Sequence, residues 1–295
     1  MKKHLLIVCL AIIFLPVAVL SQSLPNTEIY VFDFKIWLDQ YSISNPVNVS
    51  SNPGFYDNQP QFTPNGDTFL YTSADESGKT DIYLFDFIGN ERRRITYTPE
   101  VSEFSPTMTP EKGSFSCIIL EDDGTQKLWK YFIDAPVATQ VTSTEKVGYH
   151  AWLDDSNLAL FIIGDKVNTL HLASTNRSGT REIATKVGRG IYKVPNENKV
   201  SYVSMESSRK WMIMSYDIES GVKEEIIETL PNSQDYLWTP DGLILMGDGS
   251  KLYKFDPKTD TEWVELANLS AYGLNKFDRI AINNQVSKLA VVVIE

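Results

Sequence analysis

The sequence predicts an all-β fold, a six-bladed β-propeller with four antiparallel strands in each blade. One turn-and-strand pattern recurs along the 295 residues at steps of 41 to 46 residues. Each repeat carries four short strand-like segments, which is typical of a propeller blade. The two ends of the chain each supply half of one more repeat, so we expect the last blade to be shared between the N- and C-termini.

The repeat is clearest at Gln61–Asp86 and Leu237–Asp256, where the turn boxes read Thr-Pro-Asn-Gly and Thr-Pro-Asp-Gly. Proline presets φ for a turn, and asparagine, aspartate and glycine accept the positive φ that a tight hairpin needs. Weaker copies of the box are centred on Pro110, Asp155, Asn196 and Asn284. The six boxes predict one tight hairpin in each of six blades.

The strands of a repeat differ in polarity as the layers of a blade require. The strand after each box is apolar throughout, as in Phe115–Leu120, because neighbouring blades cover both of its faces. The fourth strand is more polar, as in Arg93–Thr96, because it is a sheet edge where charges discourage pairing with other chains. We therefore interpret the basic triplet Arg92–Arg94 as part of an outer strand rather than as a binding patch.

The two ends of the chain are predicted to close the ring. Thr27–Asp33 matches a third strand and Pro46–Ser50 a fourth, while Arg279–Ile282 and Leu289–Ile294 supply the first and second strands of the same blade. A shared blade removes open sheet edges. We expect one propeller domain over residues 22–295, without a linker or a second domain.

The link between the third and fourth strands of the shared blade is long and apolar. It runs from Phe34 to Asn45, and the matching link at Phe87–Glu91 is less than half as long. A hairpin link needs only about two to five residues. We expect the insertion either to fold back as a hydrophobic plug under the ring or to form a partner-binding anchor, with Trp37 and Tyr41 as contact residues.

Residues 1–21 are predicted to be a secretory signal peptide. A short basic stretch, Met1–His4, precedes an apolar run from Leu5 to Leu20, and Ser21 offers a permitted cleavage site. A transmembrane anchor is the competing interpretation, but the run falls short of the roughly 20 residues that a spanning helix needs. The sequence thus predicts a periplasmic or secreted protein with no transmembrane span after cleavage.

The amino-acid composition limits the classes of partner that we expect. The formal net charge of −11 disfavours nucleic acid and anionic membranes. After the signal segment Cys117 is the only cysteine, so no internal disulfide can form. Its apolar strand favours a small buried residue over a reactive thiol. We expect the chain to be a monomer.

The motif Pro-x-Phe-Thr-Pro-Asn-Gly-Asp at 60–67, followed by Tyr71–Ser73 and Asp81–Tyr83, resembles the repeat of the six-bladed TolB-like propellers. Similar repeats occur in the propellers of prolyl-oligopeptidase-type peptidases. The resemblance covers nearly the whole chain after residue 21, and it is loose in the third and fourth blades. It implies a propeller in the bacterial periplasm. TolB itself also carries an N-terminal α/β domain that this sequence lacks, so the resemblance implies no role in the Tol system.

The sequence shows no catalytic constellation. A peptidase would need a serine on a Gly-x-Ser-x-Gly elbow, and no such stretch exists. His171 takes a third-strand position that Tyr83 and Trp129 hold in other repeats, which favours a packed ring over a base. The sequence therefore predicts a non-catalytic module, without a cofactor, that binds a protein or peptide in the bacterial cell envelope.

Six residues near the starts of the innermost strands are predicted to meet at the mouth of the central channel. These candidate ligand-binding residues are Asp57, Glu103, His150, Arg189, Asp235 and Arg279. Lactonase-type propellers hold a metal with acidic and amide side chains there, and Ca²⁺ prefers about six to eight oxygens. A metal-dependent hydrolase or lactonase with its site in the channel is therefore the alternative function. The two arginines oppose a bound cation, so no metal site is assigned, and Ca²⁺ stays an alternative.

Overall fold

The structure is a computed structural model that describes residues 24–37 and 40–295, and only the backbone of Trp37 and Pro136. The predicted signal peptide lies outside the described residues. No helix in this described part of the chain is long and apolar enough to cross a membrane.

Six four-stranded antiparallel sheets form the blades of a six-bladed propeller, which confirms the predicted fold class. The chain begins with β1 (Thr27–Trp37) and β2 (Gln40–Asn48). The first blade contains β3 (Asp57–Phe62), β4 (Thr68–Ala74), β5 (Thr80–Asp86) and β6 (Glu91–Arg94). The second contains β7 (Ser102–Met108), β8 (Ser114–Leu120), β9 (Gln126–Phe132) and β10 (Ala135–Glu145).

The third blade contains β11 (Val147–Trp152), β12 (Asn157–Ile162), β13 (Thr169–Ser174) and β14 (Arg177–Thr185). The fourth contains β15 (Val187–Lys193), β16 (Lys199–Ser204), β17 (Met212–Asp217) and β18 (Lys223–Glu228). The fifth contains β19 (Tyr236–Trp238), β20 (Ile244–Asp248), β21 (Lys251–Phe255) and β22 (Val264–Asn268), followed by a 3₁₀ helix at Leu269–Tyr272. The sixth blade combines β23 (Phe277–Ile282) and β24 (Lys288–Ile294) with β1 and β2.

The sixth blade is shared between the two ends of the chain, as predicted. Its strand order is β2-β1-β24-β23, and β1 pairs with β24 from Thr27 opposite Ile294 to Asp33 opposite Lys288. The Gly54 N–H also donates to a Glu295 carboxylate oxygen at 2.9 Å. The chain ends therefore hold each other by strand pairing, and the last residue also contacts the segment that leads into the first blade.

The two clear turn boxes form tight hairpin turns. The Gly66 N–H donates to the Thr63 carbonyl at 2.9 Å, and the Gly242 N–H donates to the Thr239 carbonyl at 3.0 Å. Gly66 has φ of 76° and Gly242 has φ of 97°. Glycine adopts this left-handed region without steric cost, which explains its place in the box.

The segment predicted as an inserted loop is instead the end of a long hairpin. Phe34 continues β1 and pairs with Ile43 of β2, and Ile36 pairs with Tyr41. Phe34 is buried, and its ring lies 6.2 Å from that of Tyr41. The Tyr272 hydroxyl donates to the Ile43 carbonyl at 2.8 Å. The hairpin is therefore the outer end of the sixth blade and packs against the fifth blade rather than forming a separate loop. Phe34, Tyr41 and Ile43 make this packing possible because they share one face of the strand pair.

Apolar clusters fill the spaces between adjacent blades. Leu70 and Ile82 of the first blade pack with Phe115 and Cys117 of the second. Cys117 is fully buried and is therefore a core residue. Its burial raises the pKa of the thiol. His171 is bonded between the hydroxyls of Thr169 and Thr180, at 2.9 Å each, as expected for a ring held by its own blade.

Candidate ligand-binding site

The six innermost strands surround a central channel that contains a cavity of about 520 Å³. This volume lies within the range of roughly 300–1,000 Å³ that is usual for ligand pockets. Every blade contributes to its lining, which includes Gln59, Gln61, Ser105, Tyr149, His150, Trp152, Arg189, Tyr192, Lys193, Asp235, Arg279 and Asn284. The lining combines aromatic rings, amides and charged groups.

β-Bulges shape the channel wall. The pairing register shifts within β3, β7 and β23. Gln59 and Ser105 sit at these shifts with positive φ values of 59° and 56°. Gln59 Oε1 accepts hydrogen bonds from the Thr72 hydroxyl at 2.8 Å and from the Ser105 N–H at 2.7 Å, which joins the first two blades. Bulges commonly redirect side chains in this way at functional sites.

A cluster of paired charges lies in the channel wall. Arg189 Nε donates to Asp235 Oδ1 at 2.8 Å, and Arg189 Nη2 donates to the other oxygen of the same carboxylate. Asp278 Oδ2 lies 3.7 Å from Arg189 Nη2, and Arg279 Nε lies 4.0 Å from Asp235 Oδ1. Burial raises the pKa of Asp278. Asp235 is therefore the carboxylate that links the two arginines.

Tyr149 holds Arg279 in place. Its hydroxyl accepts a hydrogen bond from Arg279 Nη2 at 2.9 Å, and the guanidinium lies 5.3 Å from the centre of its ring. Burial alone would lower the pKa of Arg279, but Tyr149 and Asp235 outweigh burial and raise it. Burial also opposes the charge of Arg189, while its hydrogen bond to Asp235 raises the pKa overall. Both arginines are charged at neutral pH.

His150 is part of the interface between the second and third blades. Its Nε2 lies 2.6 Å from the Ser116 hydroxyl, which also accepts a hydrogen bond from Trp152 Nε1 at 2.9 Å. Burial lowers the pKa of His150 to about 3, so the ring is neutral. A neutral, bonded imidazole at this position contributes to packing and to the polarity of the cavity wall.

The fifth blade repeats this arrangement with different residues. The Tyr236 hydroxyl and Trp238 Nε1 both donate to the Ser201 hydroxyl oxygen at 2.8 Å. Tyr236 stands two residues before Trp238, as His150 stands two residues before Trp152. The shared pattern indicates that both clusters belong to the scaffold of the propeller.

Asp57 and Glu103 lie at matching positions near the starts of β3 and β7, and both are fully buried. Burial raises the pKa of Asp57 to about 6, and the attraction of Arg92 offsets this only in part. Burial raises the pKa of Glu103 to about 7, although the Tyr131 hydroxyl donates to its Oε1 at 2.8 Å. Neither carboxylate lines the central cavity.

The structure thus brings four of the six predicted mouth residues to one cavity. They are His150, Arg189, Asp235 and Arg279. Sequence reasoning did not select Gln59 or Trp152 as site residues. Trp152 could have been found by aligning the turn boxes, because it stands shortly before the box of the third blade and Trp238 stands directly before that of the fifth. Tyr41 packs in the outer hairpin and Trp37 is described only by its backbone, so their predicted role in partner binding stays a prediction.

A second cavity of about 410 Å³ lies near the starts of the innermost strands of the fourth, fifth and sixth blades. Arg189 and Asp235 line both cavities, so their ion pair lies between the two spaces. Within residues 24–37 and 40–295, no three or more His, Cys, Asp and Glu side chains are grouped closely enough to hold a metal ion.

No protein-family model matches the chain, and no curated protein matches it. Solved structures match its fold. A protein assigned as TolB from Agrobacterium tumefaciens aligns with a TM-score of 0.70 at 12% identity, over 92% of this chain and 99% of that one. TolB from Acinetobacter baumannii aligns with a TM-score of 0.59 at 12% identity, over 90% of this chain and 63% of that one.

An oligogalacturonate lyase in complex with manganese also aligns, with a TM-score of 0.62 at 14% identity, over 87% of this chain and 83% of that one. The chain therefore has the fold of the TolB-like propellers. A fold shared by a lyase and by TolB proteins does not decide between binding and catalysis.

Proposed function

We propose that the chain is an exported, non-catalytic, TolB-like propeller of the bacterial cell envelope that binds a peptide or an extended protein segment. The observation that carries this proposal is the cavity of about 520 Å³ on the propeller axis, to which every blade contributes. Strand residues hold most of its lining, and Asp235 and Asn284 lie close to the ends of strands, so the cavity is formed before a ligand arrives. A channel of this shape accepts an extended chain more readily than a folded domain.

The titratable side chains of the cavity fit binding better than proton transfer. His150 is held by Ser116, and burial lowers its pKa to about 3, far from the value near the working pH that suits a general base. Asp235 is held by both arginines. These groups present fixed charges and dipoles to a ligand, which is what selective binding requires.

The proposed location has two supports. The first is the signal peptide predicted over residues 1–21. The second is the likeness in fold to TolB proteins, which are periplasmic. Cell fractionation of the full-length chain tests this part of the proposal, and retention of an uncleaved chain in the cytoplasm would contradict it.

Peptide binding can be tested with a randomised pentapeptide pool and equilibrium dialysis. We expect the wild-type protein to retain a subset of peptides, identified by mass spectrometry. Gln61→Trp places a large ring in the cavity lining and should abolish retention, whereas Thr139→Trp, on the exposed outer strand β10, should not. Retention by Gln61→Trp at the wild-type level would place binding elsewhere, and no retention by the wild type would refute the proposal.

A metal-dependent hydrolase or lactonase remains the second candidate. The observation that favours it is the likeness in fold to a lyase solved with manganese. Elemental analysis of the purified protein separates the two functions. Stoichiometric calcium, manganese or zinc that survives dialysis would favour the enzyme.

A further inference from the structure

We infer that the central cavity recognises a carboxylate of its peptide ligand, and that Arg189 and Arg279 are the residues that bind this group. The inference rests on the proposed function and adds the chemical class of the ligand. It follows from the charge of the cavity, from the unused donors of the two arginines and from the position of Asp235.

The lining of the cavity is positive, although the chain as a whole is negative. Arg189, Lys193 and Arg279 line the cavity together with Asp235, and Asp278 lies 3.7 Å from Arg189 just outside the lining. Counting both carboxylates as charged, three cations against two anions leave a charge of +1 around the cavity, in a chain of net charge −11. A cleft lined by one sign of charge concentrates the field and attracts the opposite charge. The part of the ligand that enters the cavity should therefore be anionic.

Each arginine retains a donor for a ligand. Asp235 engages Nε and Nη2 of Arg189, and Tyr149 engages Nη2 of Arg279. Within the described ranges, neither Nη1 atom takes part in a hydrogen bond, and neither is among the fully buried unbonded atoms. The Arg189 side chain is 32% exposed and that of Arg279 is 15% exposed. The planar guanidinium group is well suited to bind a carboxylate.

The Asp235 carboxylate competes with a ligand carboxylate for the two arginines. Its Oδ1 lies 2.8 Å from Arg189 Nε and 4.0 Å from Arg279 Nε. This placement balances the two buried cations, which would otherwise be costly without a counter-charge. It also limits how strongly the arginines attract a second carboxylate. Removal of the Asp235 charge should therefore strengthen ligand binding, which a merely structural ion pair would not do.

The position of the arginines favours the C-terminal carboxylate of a peptide over an acidic side chain. Arg189 lies near the start of β15, and Lys193 ends the same strand farther along the channel. Arg189 and Arg279 each stand third in their innermost strand, whereas Lys193 ends its strand and Asn284 follows the end of β23, so the arginines lie toward one end of the cavity. An extended peptide can place its terminus there and run along the remaining lining.

The test uses the full-length protein and pentapeptide pools of matched composition in equilibrium dialysis. One pool has free C-terminal carboxylates, a second is amidated, and each is also made without Asp and Glu. We expect the free-acid pools to be retained, with or without acidic side chains, and the amidated pool without Asp and Glu to be lost. Asp235→Asn should increase retention several-fold. Arg279→Lys should reduce it at least about tenfold, a loss of about 1.4 kcal/mol.

Arg93→Lys on the exposed outer strand β6 is the matched control and should bind as the wild type does. Retention of amidated peptides only when they contain Asp or Glu would support the arginine site and assign its anion to a side chain. Equal retention of acid and amidated pools that lack Asp and Glu, abolished by Gln61→Trp, would overturn the carboxylate inference and leave the proposed function standing. No retention of any pool would overturn both. If Arg279→Lys fails to fold, unchanged or weaker binding by Asp235→Asn overturns the inference by itself.

Discussion

Replacing Asp57 by asparagine should stabilise the protein at neutral and alkaline pH and have little effect in acid. Asp57 lies at the start of β3 and is fully buried. Burial raises its pKa from the ordinary 3.8 to about 6. Ionisation of this carboxyl group is therefore more costly in the folded protein than in the unfolded chain.

The size of the effect follows from the shift in pKa. Two pKa units at about 1.36 kcal/mol each correspond to about 3 kcal/mol of unfolding free energy. Because the folded state has the higher pKa, this stability is fully present below about pH 4 and is lost as the pH rises through about 6. Asparagine stays neutral, so the variant avoids the loss that the wild type incurs.

Equilibrium urea denaturation at pH 4 and pH 8 provides the assay. We expect Asp57→Asn to exceed the wild type by about 2–3 kcal/mol at pH 8 and by less than about 1 kcal/mol at pH 4. Asp155→Asn, at an exposed turn, is the matched control and should stay within about 0.5 kcal/mol at both pH values. An equal difference at the two pH values, or a less stable Asp57→Asn protein at pH 8, would refute the reasoning.

Glu103→Gln should also raise the free energy of unfolding at alkaline pH. The stability that comes from the raised pKa of Glu103 is present below about pH 4.5 and is lost as the pH rises through about 7. The same urea denaturation series checks this prediction. Phe34→Ala should lower the free energy of unfolding by about 3–5 kcal/mol because it empties a buried site in the outer hairpin. A loss below about 1 kcal/mol in urea denaturation would contradict the packing of that hairpin. Deletion of residues 22–50 removes β1 and β2, exposes β24 as a sheet edge and should abolish soluble monomer in size-exclusion chromatography. A monomer with an unchanged Tm would disprove the shared blade. Tyr149→Phe should cost about 1.5–3 kcal/mol because Arg279 loses a partner, and an unchanged urea midpoint would show that this hydrogen bond contributes little.

The blades can be predicted from sequence because their signals are local. The residues of a turn box, such as Thr63–Gly66, specify a tight turn by their own backbone preferences. The outer hairpin was misread because its length was given more weight than its periodicity. Tyr41 and Ile43 are half-buried while Ser42 between them is exposed, which is the alternation of a strand.

The site is harder to predict because its geometry depends on contacts between blades. The sequence could place the six predicted residues near the starts of the innermost strands. Their burial could not be predicted. Asp57 and Glu103 each stand six residues before the first residue of the hairpin turn that follows, Thr63 or Thr109. In the third blade the matching turn begins at Leu153, and the residue six positions before it is the core residue Val147. Bulges at Gln59 and Ser105 then decide which side chains line the cavity, and a pattern in one strand does not show them.

The pairing of β1 with β24 also sets an order of events during folding. Each of the first five blades is made of consecutive residues and can form as soon as its own segment is available. The ring closes only when Thr27 meets Ile294, after nearly the whole chain has been made. The entropy of closing so long a loop rises only slowly with length, so closure delays folding more than it weakens the fold. A chain that loses its last strand should therefore form an open arc with exposed sheet edges. Such an arc should be prone to proteolysis and aggregation.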